Sequence, residues 1–216
     1  CNVIESLDLY KTLEIGTTLK RVRIHDKGEK FTKAEELGPP PLEYATYPNR
    51  MSPSGIPMFY GAFNLKTAIA ETYTPKGQSK VGTVGKFETV KRLTLVDLTK
   101  LPPFKGIFSG FSRNYRHGLS FLIDFLEDYT APISKDGREH IDYVPTQIVS
   151  EHLRFIHKTA EGDPIDGIIY PSSKDCGKKA VVIFCENECC SDETNIHKNT
   201  MLKLTKVTRV NPERYI

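Results

Sequence analysis

The stretch RMSPSGIPMFYGAFNLKTAIAE, residues 50–71, narrows the fold more than any other, because it changes backbone state repeatedly within a short span. It begins with Arg50 in a Pro/Gly/Ser-rich loop and runs into an apolar strand over 56–63 with Tyr60 inside it. It then turns at 64–66 and starts a helix at Thr67. Thr is a favoured N-cap, and Ala68, Ile69 and Ala70 suit a first helical turn. On this reading Glu71 lies in that first turn, where the positive end of the helix dipole favours a carboxylate. A capping box would need Glu or Gln three residues after the cap, and that residue is Ala70. Glu71 is therefore either a helix residue serving the dipole or a functional acid.

The flanking sequence supplies strands in quantity. LKRVRIH, residues 19–25, alternates apolar and basic side chains, placing Arg21 and Arg23 on one face with Leu19. Such a pair is either an anion-binding device or a solvated edge. VGKFETV and RLTLVDL, within 83–98, alternate with period two, as does the tail over 201–210. IDGIIY (165–170) and AVVIFC (180–185) read as buried strands around the loop PSSKDCGKK, whose Ser172 and Ser173 either face a ligand or cap a turn. Two helices are expected. One ends in SFLIDFLEDY with a stripe of Phe121, Leu122, Phe125 and Leu126. The other starts at Pro145 and places Ile148, Val149, Leu153 and Ile156 on one face. GPPP at 38–41 forces an extended path inside the loop-rich 26–49 region, 77–85 is a Gly/Ser/Lys loop, and 130–142 is a polar loop. Residues 1–18 form a helix or a lead-in, the end of a preceding region. The chain begins at Cys1 rather than Met, which fits either a processed or excised portion of a longer polypeptide or a chain whose start is missing.

Several function classes drop out. The net charge is only +3 and Lys and Arg are scattered, which argues against direct nucleic-acid binding. No apolar run approaches the ~18 residues of a membrane span, and no signal peptide is evident. The cysteines number 5, and without a secretory signal they read as reduced thiols in a cytoplasmic protein. Cys185 and Cys189 have zinc-ligand spacing and could join Cys176, Cys190 and His197, but Cys176 has no close partner, and no metal is expected. His152 and His157 are not at the i, i+4 spacing of a zinc helix. Rossmann, Walker A, H-E-x-x-H and G-x-S-x-G patterns are all missing.

Taken in order, the chain resembles the RES domain family, named for an Arg, a Glu and a Ser. The motifs are RVR at 21–23, FT at 31–32, GPPP at 38–41, NR at 49–50, GIPMFY at 55–60 and TAIAE at 67–71. YVPTQ at 143–147, DGIIYPS at 166–172 and VVIF at 181–184 complete the series. The resemblance spans 19–186, so residues 19–216 are expected to be a RES domain with a cysteine-containing extension. It implies an α+β, ADP-ribosyltransferase-like fold, with twisted, mostly antiparallel β-sheets forming a cleft flanked by helices. It also implies a toxin or defence effector that depletes NAD+ by phosphorolysis or hydrolysis, with NAD+ as substrate, inorganic phosphate as a co-substrate and no cofactor. An antitoxin or other inhibitory partner and a homo-oligomer are further expectations. The family toxins are shorter than this chain, which carries extra sequence around 100–140.

The residues suit that chemistry. Nicotinamide leaves NAD+ as a neutral base, and the ribose carbon passes through an oxocarbenium-like state that a carboxylate stabilises. Aligned with the family, Arg21, Glu71 and Ser172 are the expected catalytic residues. Arg50, Tyr60, Arg23 and Ser173 are expected to bind substrate: Arg21 and Arg50 as bidentate donors to phosphate, Tyr60 as a stacking ring for the pyridinium. A transferase that attaches ADP-ribose to a macromolecule and a non-enzymatic nucleotide-binding module remain alternatives.

Overall fold

The computed structural model describes residues 3–75, 80–103, 112–131, 139–175 and 177–215. The start of the 77–85 loop, most of the 130–142 loop, part of the 100–140 region and Cys176 lie outside the described residues.

The elements are α1 (Val3–Ser6), β1 (Tyr10–Leu13), β2 (Thr18–His25), α2 (Ala34–Leu37), β3 (Phe59–Ala62), α3 (Leu65–Thr72), β4 (Val81–Thr89), β5 (Leu93–Asp97), α4 (Arg113–Thr130), α5 (Glu139–Asp142), α6 (Val144–Phe155), β6 (Gly167–Pro171), β7 (Lys179–Ile183), β8 (Cys190–Asp192) and β9 (Leu202–Val210). Among the described residues the strands form one open sheet in the order β1-β5-β6-β7-β3-β2-β4-β9-β8. Only the β5–β6 and β8–β9 pairs are parallel. The fold is thus α+β with a mostly antiparallel sheet and few helices, and a single sheet takes the place of the several sheets expected.

Period-two alternation explains the layers. Ile168 and Val182 point into a core with Ile4, Leu122, Phe125 and Leu153 from the helices on one face. Ile169, Val181 and Ile183 point the other way, packing with Leu19, Phe59, Phe87 and Leu37. A third cluster sets Ala68 and Ile69 of α3 against Val22, Ala62 and Val84. The residues read as a lead-in are built into this body: β1 pairs antiparallel with β5, and Leu9 is fully buried.

The helices depart from expectation in instructive ways. Helix α3 starts at Leu65, not Thr67, because the Asn64 side chain is the cap and accepts from the Thr67 amide at 2.8 Å. Glu71 therefore sits in the last turn, at the negative end of the dipole, and the first-turn argument for its charge fails. On α4, Leu122 and Phe125 are buried as expected, but Phe121 is 54% exposed. On α6 the buried face is Thr146, Gln147, Ser150 and Leu153, while Ile148 is 63% and Ile156 68% exposed. The buried face of α6 is polar because it grips a loop. Gln147 Nε2 donates to the Asn49 carbonyl at 2.8 Å, and Thr146 Oγ1 donates to the Arg50 carbonyl.

Candidate active site

The site opens at a break in the sheet. β2 and β3 are paired only at Lys20↔Ala62, so beyond that point the two strands part. Gly61 sits at this parting, where an added Cβ would lie 2.7 Å from Phe59 Cε1 and 3.1 Å from the Lys20 carbonyl. Arg21 reaches into the gap, and its Nη1 donates to the Tyr60 carbonyl at 2.8 Å. Its Cζ lies 5.6 Å from the Phe59 ring centroid. Burial pulls this guanidinium below its usual value, though arginine remains a fixed cation.

A cavity of about 850 Å³ fills the gap and the space beyond it. Lys20, Arg21, Arg50, Tyr60, Glu71, Ser173 and Lys174 line it, with Tyr129, Tyr143 and Tyr170 as aromatic walls and Tyr44 and Tyr47 on the 40–47 segment. This falls within the range of small-ligand sites, roughly 300–1,000 Å³. Five of the expected residues are therefore brought together: Arg21, Arg50, Tyr60, Glu71 and Ser173.

Glu71 is held from below. Its Oε1 accepts from the Ser172 hydroxyl, and its backbone carbonyl accepts from Lys174 Nζ at 3.1 Å. Ser172 is only 2% exposed and is not part of the cavity wall. Its Oγ also accepts from the amides of Lys174 at 3.2 Å and Asp175 at 3.0 Å, capping the turn after β6. The expected direct grip of Ser172 on a ribose or phosphate oxygen is not what this geometry offers: Ser172 positions Glu71, and Ser173 is the serine at the cavity. The same turn is tied to the other end of α3, since Thr67 Oγ1 donates to Asp175 Oδ2 at 2.6 Å.

Arg50 and Arg23 also differ from expectation. Arg50 lines the cavity, but its guanidinium donates to the carbonyls of Asp128, Tyr129 and Ala131, closing the C-terminal end of α4. Arg23 does not line the cavity. It is exposed, donates to the Glu36 carbonyl at 2.7 Å and stacks over Phe31 at 4.1 Å. Strand alternation put Arg21 and Arg23 on one face, but only Arg21 stands where β3 has moved away.

Sequence reasoning missed several cavity residues. Tyr129 and Tyr170 meet edge to face at 4.6 Å between centroids. Burial, and then the negative charge of Glu71, raises the Tyr170 phenol. Burial likewise raises Tyr129 and pushes Tyr60 up to about 12, while the Tyr60 hydroxyl lies 3.0 Å from Ser52 Oγ. All three rings are thus neutral phenols at pH 7, suited to stacking. Their signal was present in DGIIYPS, where Tyr170 precedes the Pro. YVPTQ carried a second signal, since its Thr146 and Gln147 fix the Arg50 loop. Lys20 and Lys174 carried none.

The motif glycine of DGIIY also has a physical reason. A Cβ on Gly167 would lie 2.2 Å from the Val182 carbonyl, so the β6–β7 pairing requires glycine there. Among the described residues, no group of three or more His, Cys, Asp or Glu is placed to hold a metal. No helix among them is long and apolar enough to cross a membrane.

No curated protein and no solved structure matches the chain. The family model of the RES domain matches residues 18–204, a span that holds the broken β2–β3 seam, Arg21, Glu71 and Ser172, and with most of its length covered the chain belongs to the RES domain family.

Proposed function

We propose that this protein cleaves the nicotinamide–ribose bond of NAD+, with orthophosphate or water as the acceptor. The observation that carries this reading is the placement of Glu71, held by the Ser172 hydroxyl, in the wall of the cavity that Arg21 and Tyr60 share. RES domains are associated in general with NAD-related, toxin-type action, which agrees with such a site. We also read the sheet with its parted strands as an ADP-ribosyltransferase-like arrangement.

In the proposed reaction the pyridinium stacks on a neutral tyrosine ring, Tyr60 or Tyr170. The C1′–N bond breaks and its electron pair leaves with nicotinamide. Positive charge develops at C1′, and the Glu71 carboxylate stabilises it. Arg21 binds a phosphate oxygen of the dinucleotide. Orthophosphate then yields ADP-ribose 1-phosphate, or water yields ADP-ribose, with one proton released to solvent. Ser172 acts as a positioning residue that fixes the carboxylate rotamer. An activity of this kind calls for an inhibitory partner in the host, and we include an antitoxin-like protein in the proposal.

Incubation with NAD+, with and without orthophosphate, tests this directly by product identification. Release of nicotinamide with ADP-ribose or its 1-phosphate is expected, and Glu71→Gln should lower the rate by about a hundredfold or more. A Glu71→Gln protein as active as the parent would remove the assignment. Label from NAD+ appearing on a macromolecule would move the reading to a transferase, and unchanged NAD+ with saturable binding would leave a binding module.

A further inference from the structure

Lys20, Arg21, Arg50 and Lys174 are the cations that line the cavity among the described residues. Three of them are engaged: Arg21 on the Tyr60 carbonyl, Arg50 on the end of α4 and Lys174 on the Glu71 carbonyl. The Lys20 ammonium has no hydrogen-bond or ion-pair partner among the described residues. By contrast Lys86, its Cα partner on β4, is paired with Glu88 at 2.7 Å. Lys20 as a residue is half-buried, and a cation in a cavity wall without a counter-charge is one that an entering anion can pair.

We infer that Lys20 is a phosphate-binding residue of this cavity. The break in the sheet makes this geometrically natural. Adjacent residues on an intact strand point to opposite faces. Here the cavity opens at the strand edge, just past Lys20↔Ala62, so Lys20 and Arg21 both line it from consecutive positions. A point charge and a planar fork side by side suit a tetrahedral oxyanion. The phosphate is either the pyrophosphate of the dinucleotide or free orthophosphate as acceptor. The ligand class rests on the NAD+ reading above, but the charge argument concerns Lys20 alone.

The test compares wild type with Lys20→Gln and Lys20→Arg, using melting temperature as a fold control and Lys20→Met if the Gln variant fails to fold. Lys20→Gln should raise one KM by about tenfold or more, as expected for loss of a hydrogen bond from a charged group, with kcat little changed. Lys20→Arg should restore most of it. A higher KM for NAD+ alone identifies the pyrophosphate, and a higher KM for orthophosphate alone identifies the acceptor. If neither moves, the inference is overturned and NAD+ cleavage stands. If the wild type consumes no NAD+, calorimetry with pyrophosphate and ADP-ribose asks the same question. Weaker binding by Lys20→Gln then supports Lys20 while the cleavage reading fails. Equal binding, or none, overturns the inference.

Discussion

The two edges of β2 behave oppositely. Toward β4 the pairing is continuous, running from Thr18↔Glu88 to His25↔Val81. Toward β3 it shrinks to Lys20↔Ala62, and the polar groups beyond must find partners elsewhere. The closed edge holds the molecule together; the open edge has side chains in place of ladder bonds and a cavity in place of a neighbouring strand. The proposed site lies where the pairing of β2 with β3 stops.

Arg21→Ala should break this contrast most. It removes the partner of the Tyr60 carbonyl and a cavity cation together. Turnover of NAD+ should fall by about a hundredfold or more, and denaturant unfolding should show a loss of about 1–3 kcal/mol. Arg23→Ala, also on β2 but exposed, should cost under about 1 kcal/mol and leave turnover nearly intact. Equal effects of the two would end the distinction between the edges.

Next in size, Ser172→Ala should lower turnover by about tenfold or more through a misplaced Glu71. It should also cost about 1–3 kcal/mol, because the Lys174 and Asp175 amides lose their acceptor. Ser173→Ala should stay within about 0.5 kcal/mol in the same unfolding assay. Gly61→Ala would force a Cβ against Phe59 at the seam and should cost about 1–3 kcal/mol, read from a urea midpoint.

Alkaline pH sharpens the comparison without mutation. The Tyr60 phenol is raised from 10.0 to about 12, so the unfolded chain loses its proton first. Stability is full below pH 10.0, declines as pH rises through that value, and the contribution is lost by about 12. Tyr129 and Tyr170, raised in the same direction, add to the decline. Melting temperatures across this window should fall, and Tyr60→Phe should flatten the slope. At the closed edge, Lys86→Ala removes a part-buried pair with Glu88 and should change stability by about 1 kcal/mol or less.

The sequence disclosed strands better than jobs. β2, β4, β5 and β9 were legible because alternation records burial on a pleated surface, and β6 and β7 because short apolar runs record burial on both faces. The short edge strands β1 and β8 were not, since each spans too few residues to show a period. α3 began early because Asn64, read as part of a turn, was the cap. The face of α6 was misread for a deeper reason. Apolar periodicity assumes that buried means apolar, whereas Thr146 and Gln147 are buried to hold backbone carbonyls of another loop. Site chemistry followed the same rule. Arg21, Tyr60 and Glu71 were found and reach the cavity, while the guanidinium of Arg50 closes a helix end. Residue type was readable, but whether a polar group serves ligand or backbone depends on where neighbouring strands diverge.

The burial of Ser172 has one last implication. Its hydroxyl donates to a carboxylate, as the nucleophile of a hydrolase donates to its base, yet it is buried, with two amides on its oxygen. An electrophilic reagent aimed at activated serines should leave this residue unlabelled, so a blank in such a profiling experiment would say nothing against an enzyme here.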